Sequence, residues 1–339
     1  AAKYISPLNK ILWVKNNLPE IYKNANKILF TPDLLKYKLG IKDTKINYAL
    51  CSRTLFFDIR EKKWMGDLLD DFGIDVYLFS KPSPSGVIAG IVDKKIAGEL
   101  GFKKEVTVVV GSHDQPCAAL GVGAIDGGIA ADGMGTVECV TTCMDDIVIN
   151  PNMLKNNFTT QVHAKSDKYV TLAYNMTCGS LVKWYKDTIA KDPDNFKPSL
   201  NFEPSSIHAL PYFSASGTPY MDPIPKGSLI GMSLDTKRED IFKAIVEGLV
   251  FEISFNLDLV SRAGVKIKEL RAVGGGSKSD FELQLKSSII NKPIMRMDIA
   301  EAGCLATMML AGSGIGKFTI KEAISKYVKV KDKFFPDES

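Results

Sequence analysis

"IKELRAVGGGSKSDFELQLKSSI", Ile267 to Ile289, decides the fold class. Its opening reads as a short strand over Ile267–Val273. Gly274, Gly275 and Gly276 end that strand, and a helix follows from Ser279 to Ile289. At such a joint, backbone N–H groups and the helix dipole can receive a phosphate, or let a nucleotide lie close to the main chain. A turn that merely needs positive φ is the plainer reading, but three consecutive glycines exceed what such a turn requires. The stretch "GGGSKS" is not the G-x-G-x-x-G fingerprint of dinucleotide folds, and no strand with a terminal acid follows at the expected spacing.

Working outward, Pro293–Met297 reads as the next strand and "EAGCLATMMLAG" as the next helix. Upstream, Thr236 with Glu239 forms a capping box. Ile241, Ile245, Leu249, Ile253 and Leu257 then recur every fourth residue, marking the buried side of a long helix. Earlier still, "GIAADGMGTVECVTT" reads as two short strands around a tight turn and "KYVTLAYNM" as another strand. Val106–Gly111 is a strand candidate followed by a helix through Ala118–Val122, and Pro7–Leu39 reads as helices interrupted by Pro19 and Pro32. Strands alternating with helices define an α/β class, and a domain boundary falls near Gly123–Ile125.

Two further glycine turns carry different weight. "DGMGT", Asp132–Thr136, can wrap a phosphate with its N–H groups while the Thr136 hydroxyl adds a donor, although such hairpins are also common as plain turns. "AGSGIGKF", Ala311–Phe318, fails as a Walker loop: Gly312 and Gly316 are one residue too close, and Phe318 stands where Ser or Thr should hold magnesium. It reads as a helix end followed by a loop.

Between the Val106–Gly111 strand and its helix stand His113, Asp114 and Gln115. An acid at the C-terminal end of a strand is where an open α/β sheet places ligand chemistry. Asp114 there can accept a proton from an attacking hydroxyl, with Gln115 holding a second hydroxyl. It can equally cap the next helix, with Pro116 early in that helix, and residue type alone leaves both open. His163 and His208 are isolated and read as structural.

The 339 residues are 45% hydrophobic and 24% charged, the profile of a folded chain with room for two domains. Lys and Arg number 43 against 39 acids, and the basic residues are scattered, which argues against nucleic acid as a partner. No apolar run reaches the length of a membrane span and no leader stands at the N-terminus, so a cytoplasmic location is expected. Six cysteines without a C-x-x-C pair read as buried free thiols; Cys139 and Cys143 share one face of a strand, a weak hint of a metal or disulfide.

Taken together, these stretches resemble the FGGY carbohydrate kinases of the actin, hexokinase and Hsp70 superfamily. "VVVGSHDQPCAALGVGAI" is similar to the family's segment with the catalytic aspartate, and "GMGTVE" to its second phosphate turn. "FSASGTPYMDPIPKGSLIGMSLDTKREDIFKAIVEGLVFEI" resembles the approach to the long interdomain helix. "AVGGGSKSDFELQLKSSIINKPI" with "EAGCLATMMLAGSGIG" resembles the adenosine signature and the helix after it. "NYALCSRTLFFDIREKKW" is similar to a segment shared by glycerol, gluconate and pentulose kinases.

The resemblance implies an α/β, ribonuclease-H-like (actin-like ATPase) fold of two domains: residues 1–124, sugar-binding, and 125–339, nucleotide-binding. It implies ATP-dependent phosphorylation of a sugar, ketose or polyol, with xylulose or a related pentulose foremost and glycerol, gluconate or a tetrulose as alternatives. Asp114 becomes the general base and a substrate contact beside His113 and Gln115. Gly135 and Thr136 contact the ATP phosphates, while Gly275, Gly276 and Ser277 line the nucleotide. Mg2+ is expected to be held mainly through the phosphates, and a homodimer is compatible. The opening Asp-x-Gly-Thr turn and the closing helix of the family are absent from this sequence, so the first domain is expected to be incomplete; Phe281 stands where Trp is usual and Ser288 where an acid is common. A non-catalytic sugar-binding or regulatory relative is the rival reading. A dinucleotide oxidoreductase is discounted by the absent fingerprint.

Overall fold

The computed structural model describes residues 6–191, 196 and 201–337. The chain folds as two compact units, one of Ala1–Gly121, Gln161–Tyr169 and Gly303–Tyr327, the other of Val122–Thr160, Val170–Ala302 and Val328–Ser339.

In the first unit the prolines start helices. Pro7 and Pro19 open Pro7–Asn17 and Pro19–Lys23, and Pro32 lies in the first turn of Thr31–Lys38, where a missing N–H leaves no bond unmade. Leu8, Ile11, Phe56, Leu69, Ile74 and Phe79 form a buried cluster there, with the Phe56 ring 4.8 Å from Phe79 and 5.1 Å from Trp64. Strand Thr107–Val109 pairs antiparallel with Ile88–Ile91. Its predicted extent was longer at both ends, and Val110 still exchanges bonds with Val87 and Gly86 beyond the ladder.

Helix α1 (Asp114–Gly121) starts four residues before the predicted Ala118, because the His113 carbonyl already accepts the Cys117 N–H at 2.9 Å. It buries Pro116, Cys117, Ala119 and Leu120. Helix Ala302–Gly314 ends where "AGSGIGKF" predicts a stop: Gly316 adopts φ +73°, and the bare Gly312 lets the Phe318 ring pack against the helix backbone.

The second unit is built on a mixed sheet. Six of its seven strands are β1 (Ile129–Met134), β2 (Glu138–Met144), β3 (Tyr169–Asn175), β4 (Glu269–Val273), β5 (Ile294–Met297) and β6 (Val330–Phe334), hydrogen-bonded in the order β6-β5-β4-β1-β2-β3. β4 runs parallel to both β1 and β5, whereas the β1–β2 hairpin and the β5–β6 pair are antiparallel. All seven residues of β2 are buried, as befits a strand flanked on both edges and covered on both faces. Cys139 and Cys143 lie buried in it outside any disulfide, and of the six cysteines only Cys304 is exposed.

The unit carries α2 (Gly179–Tyr185), α3 (Arg238–Arg262) and α4 (Asp280–Ile290) among its helices. In α3 the repeat is where the spacing puts it, with Ile245, Leu249, Ile253 and Leu257 buried and Ile241 partly so. Each buried side chain of this kind contributes roughly 1.5–3 kcal/mol. The capping box is displaced by one residue. Asp240, not Glu239, accepts the Lys237 N–H at 2.9 Å, because the Thr236 hydroxyl is already occupied by the Ser233 N–H in the preceding turn. His163 is buried with Nδ1 accepting the Lys165 N–H, and His208 lies in strand His208–Leu210. Among the described residues no helix is long and apolar enough to cross a membrane.

Candidate functional site

The β1–β2 hairpin closes at the Met134–Glu138 pair, leaving Gly135, Thr136 and Val137 at its tip. The Gly135 N–H donates to the Val137 carbonyl at 3.0 Å. The carbonyls of Gly135 and Thr136 face the start of α2. Gly135 O accepts from the Gly179 N–H at 3.0 Å, and Thr136 O from the Cys178 and Ser180 N–H groups at 3.1 and 3.2 Å, and from the Ser180 hydroxyl at 3.0 Å. The hairpin thus occupies donors that a helix start leaves without intrahelical partners. A trans peptide unit holds its N–H opposite its C=O, so the N–H groups of Thr136 and Val137 point away from α2. Neither makes a hydrogen bond among the described residues. Two adjacent amides held outward by their own pinned carbonyls form a cradle for an anion.

Two glycines permit this packing. A Cβ on Gly179 would lie 2.8 Å from the Gly135 carbonyl oxygen. Gly274, at φ +97°, would place one 2.6 Å from the Met134 carbonyl oxygen. Through Gly274 the loop after β4 lies against the hairpin, and Gly275, Gly276, Gly135 and Thr136 line one groove of about 1180 Å³ with Phe242, Val246 and Phe281 on its apolar walls. Ser277 is buried instead, and its hydroxyl donates to the Gly274 carbonyl at 2.8 Å, so it shapes the loop without lining the groove. Ser279 caps α4 by accepting the Glu282 N–H at 3.2 Å.

Beneath the hairpin lies a buried ionic cluster. Lys286 of α4 donates to Asp132 at 2.8 Å and to Glu138 at 2.6 Å, and all three side chains are at most 2% exposed. Burial alone would strip the Lys286 proton, but Asp132, Glu138 and Glu282 hold it on, and the net shift is upward. Burial pushes the Glu138 carboxyl upward while Lys286 pulls it back toward the ionised form, and burial raises Glu282 in the groove wall as well. Taking each ion out of water costs several kcal/mol, which only close, hydrogen-bonded opposite charge can offset.

His113, Asp114 and Gln115 lie together in the first unit, at the start of α1. Asp114 is the first residue of that helix and its side chain is 77% exposed. Its Oδ1 accepts from the Gln115 N–H at 2.7 Å and faces His113 Nε2 at 3.0 Å. Burial pushes the His113 imidazole down to about 4, opposed by Asp114 and aided by Arg53. The ring is therefore neutral at pH 7, and the short contact assigns its proton to Nε2. Oδ2 of Asp114 makes no hydrogen bond among the described residues, which leaves one carboxylate oxygen free to take a proton. As a cap, Asp114 reaches only its neighbouring amide.

Sequence reasoning missed Lys286, Gly179, Phe242 and Val246. Gly179 could have been found as a glycine opening a helix directly after a strand. A lysine within α4 gives no signal of burial.

The architecture defines the class first. The chain has the actin-like ATPase fold of solved sugar and polyol kinases: the ligand-bound xylulose kinase of Lactobacillus acidophilus matches with TM-score 0.87 at 23% identity, over 98% of this chain and 68% of that one. Plasmodium falciparum glycerol kinase with ADP matches with TM-score 0.85 at 22% identity, over 97% and 67%. In sequence, residues 2–121 match the N-terminal domain and residues 133–315 the C-terminal domain of the FGGY family of carbohydrate kinases, and the chain belongs to that family. The xylulose kinase of Staphylococcus epidermidis is 30% identical over 338 residues, 97% of this chain and 67% of the relative's length.

Proposed function

We propose that the protein catalyses ATP-dependent phosphorylation of a sugar, ketose or polyol, with a pentulose such as xylulose as its substrate. The observation that carries this reading is the pair of unpartnered amides at Thr136 and Val137, on a hairpin tip whose Gly135 and Thr136 line the same groove as Gly275 and Gly276. Xylulose is favoured because the relative in S. epidermidis and the structural neighbour in L. acidophilus are both xylulose kinases. The glycerol kinase neighbour, seen with ADP, supports the nucleotide and keeps a polyol as the second choice.

Residues 125–339 then bind nucleotide, the hairpin amides receiving phosphate oxygens and the Phe242 and Phe281 walls enclosing the apolar part of the nucleoside. Residues 1–124 bind the acceptor. Asp114 Oδ2 takes the hydroxyl proton as the substrate oxygen forms its bond to phosphorus and the bond to the ADP oxygen breaks. His113 keeps Oδ1 engaged, and Gln115 holds a second hydroxyl. Mg2+, bound mainly through the phosphates, would screen their charge. The setting is the cytoplasm.

A coupled ADP-release assay across pentuloses, hexuloses, polyols and aldonates tests this directly. Xylulose or a close pentulose should give the highest kcat/KM, and chelation of divalent metal should abolish turnover. ATP-dependent turnover with none of these acceptors would overturn the proposal.

A further inference from the structure

We infer that Lys286 is a positioning residue for the phosphate turn: a single buried ammonium that ties both ends of the β1–β2 hairpin to the helix leaving the glycine loop. This rests on the nucleotide reading given above.

The placement is specific. Asp132 lies on β1 two residues before Met134, and Glu138 is the first residue of β2, paired with Met134 across the mouth of the turn. Lys286 therefore holds one carboxylate on each strand of the hairpin, at 2.8 and 2.6 Å, from either side of Gly135–Val137. On the other side, Asp132 pairs with Ala272 of β4, two residues before Gly274, while Lys286 itself belongs to α4, which leaves the glycine loop. One cation thus meets the strand that enters the phosphate turn, the strand that leaves it and the helix after the adenosine loop.

Packing alone does not require this chemistry. Buried ion pairs add less stability than well-packed apolar residues of similar volume, and their best-attested use is to fix register. Two carboxylates bridged by one ammonium fix the separation and register of two strands, which apolar contacts do only loosely. The amides of Thr136 and Val137 are the groups whose position depends on that register. The glycine loop has its own local restraints, the Ser277–Gly274 bond and the Ser279 cap. Loss of Lys286 should accordingly disturb recognition of phosphate much more than recognition of nucleoside.

The test is calorimetric titration of the protein with ADP and, separately, with adenosine. Three forms are compared: wild type, Lys286→Met, and the neutralised variant Asp132→Asn/Glu138→Gln/Lys286→Met, with folding checked by circular dichroism. The neutralised variant is included because the single substitution leaves two buried carboxylates without their cation and can fail to fold. In the folded variants ADP affinity should fall tenfold or more while adenosine affinity stays within about twofold. A folded neutralised variant with an unchanged ADP-to-adenosine ratio would overturn the inference, as would a neutralised variant that cannot fold, since the cluster would then serve the core. No ADP binding by the wild-type protein would instead overturn the nucleotide reading beneath it.

Discussion

The hairpin tip and the start of α1 are both polar turns at strand ends, yet they are held in opposite ways. The hairpin rests on buried charge, with Lys286 between Asp132 and Glu138 and the Gly135 and Thr136 carbonyls engaged by α2. Asp114 is exposed and held by its two sequence neighbours, His113 and Gln115. A polyphosphate cradle must hold amides in a fixed arrangement, which a core can impose. A base needs one free oxygen and access to the acceptor, which a core would deny it. Substitutions should therefore separate cleanly: at the hairpin, stability and nucleotide affinity change together; at Asp114, turnover changes alone.

The largest effect sharpens that contrast on the hairpin side. Lys286→Met should destabilise the protein by roughly 3–5 kcal/mol in urea unfolding, because it strands buried carboxylates. Asp114→Asn comes next, lowering kcat about a hundredfold or more with ADP affinity and unfolding midpoint unchanged. A matching loss of stability at Asp114 would erase the distinction between the two turns. Gly179→Ala puts a methyl group 2.8 Å from the Gly135 carbonyl oxygen, so it should push the turn and weaken ADP binding by about tenfold, a change titration would read.

A separate effect concerns pH. His113 titrates near 4 in the folded chain and near 6.5 when unfolded. The unfolded state binds the extra proton in that window, so His113 contributes stability that is full above about pH 6.5 and lost as pH falls toward 4, by up to about 3 kcal/mol. His113→Gln should flatten that part of an unfolding-versus-pH curve; an unchanged slope would place the titration elsewhere.

Much of this fold is legible in the sequence because local signals agree with it. The four-residue repeat in α3, the glycines after β4 and the helix stop at Gly314 follow from periodicity and backbone freedom alone. Boundaries slipped where a local bond competed, as when Ser233 engaged Thr236 or when the His113 carbonyl began α1 early. The site is only half legible. Gly135, Thr136, Gly275 and Gly276 announce themselves as glycine turns. Ser277 stands in the same motif but turns inward, a matter of one hydroxyl choosing the Gly274 carbonyl. Lys286 is invisible because its partners lie 154 and 148 residues away in the chain, and only the tertiary pairing of β1, β2 and α4 makes it a buried cation.

In the proposed function, the amides of Thr136 and Val137 receive phosphate. Amide hydrogen exchange resolved by residue, with and without saturating ADP, tests it most directly. Slowed exchange at Thr136 and Val137, with His113–Gln115 unaffected, is the predicted result. Binding of ADP that leaves both amides exchanging at their free rates would contradict it.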